Sequence, residues 1–426
     1  MTLLIFIGTL LITMFIGVPI AYSLMISGLA LMVHLGMFDS QVMAQNIISG
    51  ADSFPLMAIP FFMLAGELMN AGGISKRIVS FALTLVGSFK GGLGYVAIIG
   101  SVLFAGLSGS AVADTAALGA ILIPMMVKGG YDRNTASGLI AGGGIIAPII
   151  PPSIPMILFG VTANVSITQL FMGGIVPGLL MALGIAIMWF FISRKGHYEV
   201  YPRSSFKDFI SETVKAFWAL LLPIFIILGL RGGIFTPTEA GVIAVFYALL
   251  VGMFIYRELK VKDLMKVLID SAVSTSVVMF LAAAAMVSAW LITIANIPRE
   301  IIAILEPFMN NQTLLMLVLF AIILLVGMVV DITPVILILV PVLVPVIKEA
   351  GIDPVYFGIV FILANCIGLL TPPVGSVLNV AASVGKTNIL SVSKSVLPYI
   401  GVYIVIVLLL IFFPETVTYP VEFFTK

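Results

Sequence analysis

The stretch IPMMVKGGYD, residues 123–132, has a counterpart in VPVIKEAGID, residues 344–353. Displaced by 221 positions, Pro124 falls on Pro345, Gly130 on Gly351 and Asp132 on Asp353. The same displacement carries Pro151 and Pro152 onto Pro372 and Pro373, and Pro177 onto Pro398. Prolines, a glycine and an aspartate aligned at one ungapped offset mark an internal repeat, which is read before any single residue. The division falls in SRKGHYEVYPRSSFKDFISETVKAF, residues 193–217, the only polar stretch of any length. The halves are then residues 1–205 and 206–426.

Composition names the solvent. Of 426 residues, 61% are hydrophobic and 9% charged, whereas a soluble domain carries about 25% charged residues. Most of the surface therefore faces lipid. At ~20 residues per crossing, the length allows roughly ten to twelve spans. The 20 Lys and Arg nearly balance the 19 Asp and Glu, so there is no basic field for nucleic acid. One cysteine, Cys366, excludes an internal disulfide, and two histidines leave little for a metal cluster. The opening MTLLIFIGTLL lacks a basic leader and reads as a retained membrane segment. His34 and His197 read as incidental, and Glu67 and Glu239, near span ends, as structural.

Apolar runs include two long, interrupted ones at 93–127 and 313–347, each read as a helical hairpin returning to its starting side. Two more, 134–165 and 355–384, read as broken helices. With residues 73–92 in the cytoplasm and sides alternating from there, 16 of the Lys and Arg are cytoplasmic. Only Arg231, Arg299, Lys348 and Lys426 lie opposite, a clear positive-inside bias. Both termini are then expected outside. Corresponding loops carry reversed charge: residues 37–46 have no Lys or Arg, and their counterpart YRELKVKDLMK has four. Related sequences of opposite sidedness make an inverted-topology repeat, with the site expected near the bilayer midplane. The fold expected is an all-α polytopic membrane protein with two re-entrant hairpins and two broken helices. Phe206, Phe209, Ile210 and Val214 share a helical face, suggesting a helix lying on the membrane surface. Segments 74–89 and 298–310 precede the hairpins and read either as arms joining a frame to a moving part or as simple connectors.

Four breaks carry the chemistry: GLSGSAVADTAA (106–117), GGGIIAPIIPPSIP (142–155), GMVVDITPV (327–335) and GLLTPPVG (368–375). Proline removes an amide donor and glycine lowers helix stability. The backbone groups they free are tolerable in a membrane only against protein or a water-filled cavity. Unwound carbonyls with Ser, Thr or Asp oxygens suit Na⁺, and the amide ends of half-helices attract a carboxylate. One ion site is assigned to Ser108, Gly109 and Ser110 facing Gly144 and Pro148. The second uses Gly327 and Asp331 facing Gly368 and Thr371. Asp114 and Asp331 lie within membrane runs, where a carboxylate is costly and usually functional. Capping a half-helix is the competing role for both. Ser153, Thr333, Ser376 and Asn379 are candidates for facing substrate. For any serine or threonine the plain alternative is a bond back to a carbonyl.

A second class of function is weighed on Gly106-Leu107-Ser108-Gly109, the GxSG pattern of an intramembrane serine protease. That nucleophile needs a histidine base within reach, and only His34, near a span end, lies in a membrane run. A channel or passive scaffold is the third reading.

SFPLMAIPFFMLAGELMNAGG, LSGSAVADTAA, GGGIIAPIIPPSIP, FTPTEAG and GLLTPPVGSVLNV resemble the large membrane subunit of tripartite ATP-independent periplasmic (TRAP) transporters, over essentially the whole chain. The resemblance implies a Na⁺ symporter of the bacterial inner membrane and no enzyme. It implies two partners, a small four-helix membrane subunit, here a separate polypeptide, and a periplasmic substrate-binding protein. It also implies an elevator motion in which about 93–165 and 313–388 slide against a scaffold. Family members carry C4-dicarboxylates, sialic acid and other sugar acids, and SFPLMAIPFF leans toward the sugar-acid members, such as those for sialic acid or a keto-gulonate.

Overall fold

The computed structural model describes residues 1–194, 196 and 198–425, and within that range the chain folds into helices. Lys195, His197 and Lys426, all used in reading the sequence, lie outside the described residues. Among the described residues, eight helices are long and apolar enough to cross a membrane, and seven shorter apolar helices accompany them.

The first half contains α1 (Thr2–Phe15), α2 (Ile20–His34), α3 (Ser40–Ala51), α4 (Ala58–Ala71), α5 (Ile74–Val86), α6 (Gly92–Ser108), α7 (Ala111–Lys128), α8 (Arg133–Gly144), α9 (Ile154–Ala163) and α10 (Ile167–Arg194). The second contains α11 (Phe206–Arg231), α12 (Pro237–Leu250), α13 (Val261–Ile294), α14 (Ile297–Met309), α15 (Gln312–Gly327), α16 (Ile332–Glu349), α17 (Pro354–Leu369), α18 (Ser376–Gly385), α19 (Ile389–Phe412) and α20 (Glu415–Thr425). The 221-residue displacement carries α7 onto α16 and the start of α8 onto that of α17. It carries α3, a 3-10 turn at Phe54–Met57 and α4 together onto the single helix α13.

The expected hairpins are α6–α7 and α15–α16, and the expected broken helices are α8–α9 and α17–α18. Each hairpin is tied shut at its base. Tyr131 Oη accepts from Leu93 N at 3.2 Å, and Gln312 Nε2 donates to Ala350 O at 3.0 Å. The bases lie at opposite ends of α19. Beside its start, Thr387 bonds Asn134, just past the first hairpin. At its far end, Tyr356 Oη donates to Leu410 O, just past the second. A 24-residue helix spans about 36 Å, so the hairpins enter from opposite membrane faces.

The repeats interlock. α7 packs on α18 and α16 on α9, each hairpin against the far half of the other repeat's broken helix. Lipid offers no hydrophobic gain for helix pairing, so small residues that let backbones close together carry the packing. Gly138 lies against Ser395 and Gly142 against the Tyr399 ring, and Tyr403 Oη donates to Gly142 O at 2.7 Å. A second group, α1–α4 with α11–α13, packs mainly within itself, and α5 and α14 join it to the hairpins.

One expectation about the elements is corrected. Phe206, Phe209, Ile210 and Val214 belong to the continuous α11, so the separate surface helix does not exist. The Ser205–Asp208 capping box starts the helix and no later residue breaks it. Its 26 residues span about 39 Å, longer than a ~30 Å hydrocarbon core, so its first turns project. Residues 47–72 form three pieces, because Asp52, Ser53 and Pro55 interrupt the helix. At the C-terminal end, α20 packs on α10.

A cavity at the helix breaks

The chain leaves helix at 145–153 and at 370–375, the two proline-rich breaks. Cis peptides precede Pro152 and Pro373. Ser153, read as a substrate contact, is fully buried and caps α9. Its Oγ donates to Pro148 O at 2.6 Å and accepts from Met156 N. Ser110 caps α7 by accepting from Ala113 N.

At the first hairpin tip, Ser108 Oγ donates to Asp114 Oδ1, and Ser110 N donates to Ser108 Oγ at 3.2 Å. The partner of the GxSG serine is therefore a carboxylate. Asp114 is completely buried, and its Oδ2 has no partner. Thr115 Oγ1, next along the helix, is also buried and unpaired. It points at Gly144, where a Cβ would stand 1.9 Å from it. Gly109, at φ +61°, packs against the Pro152–Ile154 backbone rather than Gly144. Pro148 lies near Ser108, Gly109 and Ser110 on a shared cavity wall. The first set of sequence-derived residues thus gathers at one place, with Thr115 added.

At the second break, Gly368 lies against Gly327, whose backbone carbon would be 2.4 Å from an added Cβ. Asp331 accepts from Ser376 Oγ at 3.3 Å. Asp331 occupies the N-cap position of α16 without bonding its amides. Thr371 Oγ1 bonds back to Ile367 O at 2.8 Å, and Asn379 Nδ2 donates to Val374 O at 2.8 Å, so both use their side chains locally. Like Thr115, Asn365 is a residue that sequence reasoning missed. It is fully buried, both side-chain polar atoms are unpaired, and it lies against Gly327. A lone amide in an apolar run was a signal, and the repeat offset places Asn365 on Gly144.

A cavity of about 600 Å³ opens between these tips and the frame helices α4 and α13. Three helix N-termini border it: Ser110–Ala113, Ile154–Pro155 and Asp331–Thr333. The frame side presents Glu67, Asn70, Ser271 and Ser274. Glu67, read as structural, is corrected to a cavity-lining residue; it sits one turn before the end of α4. Glu239 is structural, closing a capping box with Thr236 at 2.7 Å. A second cavity, about 480 Å³, lies toward the other end of α13 and is bordered by Asp52, Ser53, Thr162, Met286 and Thr293.

Comparison with known proteins agrees with this geometry. A family model described as the DctM component of tripartite ATP-independent periplasmic transporters matches residues 7–416. The 2,3-diketo-L-gulonate TRAP transporter large permease protein YiaN of Escherichia coli is 51% identical over 422 residues, covering 99% of each chain. The sialic acid TRAP transporter large permease protein SiaM of Vibrio cholerae is 37% identical over 402 residues, covering 94% of each. Among solved structures, the Alcanivorax borkumensis YdaH transporter aligns at TM-score 0.65 with 14% identity, covering 88% of this chain and 87% of that one. It shares the fold.

Proposed function

The chain belongs to the DctM-component family of TRAP transporters, and from that premise we propose that it is the large permease of a Na⁺-coupled importer of an organic acid, of the sugar-acid type. It works with a small membrane subunit and a periplasmic binding protein that delivers substrate. The observation that carries the reading is the convergence on one cavity of three helix N-termini and buried, unpaired oxygens.

The donor sets fit Na⁺. Asp114 Oδ2, Thr115 Oγ1 and Asn365 Oδ1 are hard oxygens without partners, and a buried polar atom left so is costly. A hard cation takes such oxygens together with unwound carbonyls. Asp114, Thr115 and the Ser108–Ser110 tip would hold one ion beside Gly144 and Pro148. Asn365, Gly327, Gly368 and Thr371 would supply the other, with Asp331 alongside. Bound Na⁺ offsets the buried charge and firms the tips. The helix N-termini then face the cavity with partial positive charge, which favours a carboxylate. Thr333 and Ser376 border the same region.

The larger cavity follows α4 toward Asn70, the end adjoining Lys76 and Arg77. The positive-inside bias puts that end in the cytoplasm, with both termini periplasmic. On this reading the larger cavity faces the cytoplasm and the smaller one lies on the periplasmic approach. Moving α6–α9 with α15–α18 against the frame exchanges the two.

The test is uptake in proteoliposomes holding this chain, its small subunit and the loaded binding protein. Collapse of the Na⁺ gradient abolishes concentrative uptake. Asp114→Asn and Asn365→Ala raise the Na⁺ concentration for half-maximal uptake without preventing membrane insertion. Uptake that follows only the substrate gradient, with no Na⁺ required, rejects the proposal.

A further inference from the structure

The cavity is polarised, and the polarity bears on which acid it accepts. On the hairpin side stand helix N-termini, which favour negative charge, and one carboxylate, Asp331, which accepts from Ser376 and is assigned to the second ion site. On the frame side stands Glu67, and among the described residues no Lys, Arg or His lines the wall. Glu67 has no ion pair among the described residues, and Asp270 of α13 interacts with it electrostatically, adding to the negative character. Asn70 follows Glu67 on the same face of α4 at a spacing of three. Ser271 and Ser274 repeat that spacing on α13 opposite. The frame wall is thus a carboxylate among neutral amide and hydroxyl groups.

We infer that Glu67, with Asn70, Ser271 and Ser274, reads the hydroxyl end of the substrate and restricts the carrier to polyhydroxylated monocarboxylates, excluding dicarboxylates. This rests on the carrier reading above and narrows its substrate class. A molecule held by its carboxylate at the helix N-termini turns its other end to Glu67. If that end carries hydroxyls, they donate to the Glu67 carboxylate, and charge-assisted bonds of this kind are the stronger class. If it carries a second carboxylate, two like charges meet in a partly desolvated space with no cation between them. At a separation near 10 Å and an effective dielectric of 20, the repulsion corresponds to about a tenfold loss in affinity or more. Asn70 and the serines accept and donate, which suits hydroxyls. The selection acts within the permease and is separate from selection by the binding protein.

The test avoids the binding protein. The purified membrane complex of this chain and its small subunit is titrated in saturating Na⁺ with D-gluconate, N-acetylneuraminate and succinate, and thermal stabilisation is recorded. Wild type is half-saturated by at least one of the two sugar acids at about a tenfold lower concentration than by succinate. Glu67→Gln weakens that sugar acid and strengthens succinate, so the ratio collapses toward one. Ser274→Ala, which leaves the charge in place, weakens the sugar acid and leaves succinate unchanged. A ratio unmoved in both variants overturns the assignment to Glu67 while leaving the carrier intact. Succinate preferred by wild type overturns the substrate class. Stabilisation by none of the three, with or without Na⁺, overturns the carrier reading and this inference together.

Discussion

At the residue scale, the positions that expose the repeat are those with a local geometric duty in both halves. Asp132 accepts from Thr135 N at 2.9 Å and caps α8; Asp353 accepts from Tyr356 N at 2.7 Å and caps α17. Gly130 and Gly351 take φ of +83° and +70° where each hairpin turns into its broken helix, a conformation L side chains rarely adopt. A cap satisfies amides that a helix start otherwise leaves open. Asp132→Ala and Asp353→Ala therefore each lower stability by about 1 kcal/mol, read as a fall in the unfolding midpoint of the detergent-solubilised protein. The two effects match within error, because the two aspartates do the same work; a large effect from only one would show that the caps are not equivalent. Gly109→Ala is more damaging. A methyl there would stand 2.6 Å from Pro152 O and 2.9 Å from Ser153 Cα. Positive φ and a backbone collision together cost about 2–4 kcal/mol, and the same midpoint measurement reports it.

At the element scale, the helix breaks were legible because proline and glycine act locally, whatever packs around them. Each hairpin and broken helix begins and ends within two or so residues of where the run of apolar sequence placed it. What stayed hidden depends on neighbours distant in sequence. Glu67 near the end of α4 is indistinguishable by itself from a solvated terminus; only α13 and the first hairpin tip make it a cavity wall. Thr115 stood inside a motif already singled out, yet its orphaned hydroxyl is defined by Gly144 opposite. The arms illustrate the same limit. In sequence α5 reads equally as an arm or as a simple connector. In the structure, Arg77 donates to Glu258 at 2.8 Å and lies 3.7 Å over the Tyr256 ring. Tyr256 Oη in turn donates to Lys215 O at 2.8 Å and accepts from Ala219 N at 3.1 Å, on α11. This ties the start of the arm to the frame, and Gly73 at φ +76° is the bend before it. An ion pair with a cation–π contact contributes about 1–2 kcal/mol. Arg77→Ala loosens the frame end of α5, so proteoliposome uptake slows while insertion, the Na⁺ concentration for half-maximal uptake and the substrate ratio stay as in wild type. A changed Na⁺ requirement would instead place Arg77 in ion binding.

At the scale of the whole molecule, asymmetry says more than symmetry. The hairpin helices α7 and α16 match residue for residue, and two equivalent halves would leave equivalent gaps on either side of α13. They do not. α13 packs closely on α16 at one end, while α4 stands away from α7 and leaves the larger cavity. One fold with two related interfaces, and cavities of about 600 and 480 Å³ toward the two ends of α13, suits alternating access. The first hairpin touches the frame at α4 and also at α11, where an added Cβ on Gly106 would stand 3.0 Å from Pro223 Cβ. Gly106→Cys with Pro223→Cys is close enough to oxidise after a small outward adjustment, since relaxed disulfides hold Cβ atoms about 3.8 Å apart. Cys366 is buried and offers no competing thiol at the surface. If the hairpins travel against the frame, the oxidised pair stops Na⁺-driven uptake and a reductant restores it, with both single-cysteine variants active throughout. Thermal stabilisation by Na⁺ persists in the locked protein, because the ion donors lie wholly on the moving side of the crosslink. Full uptake with the disulfide formed would mean that substrate passes without relative motion of α6 and α11. The two unequal cavities would then be fixed features of a pore rather than two ends of one stroke.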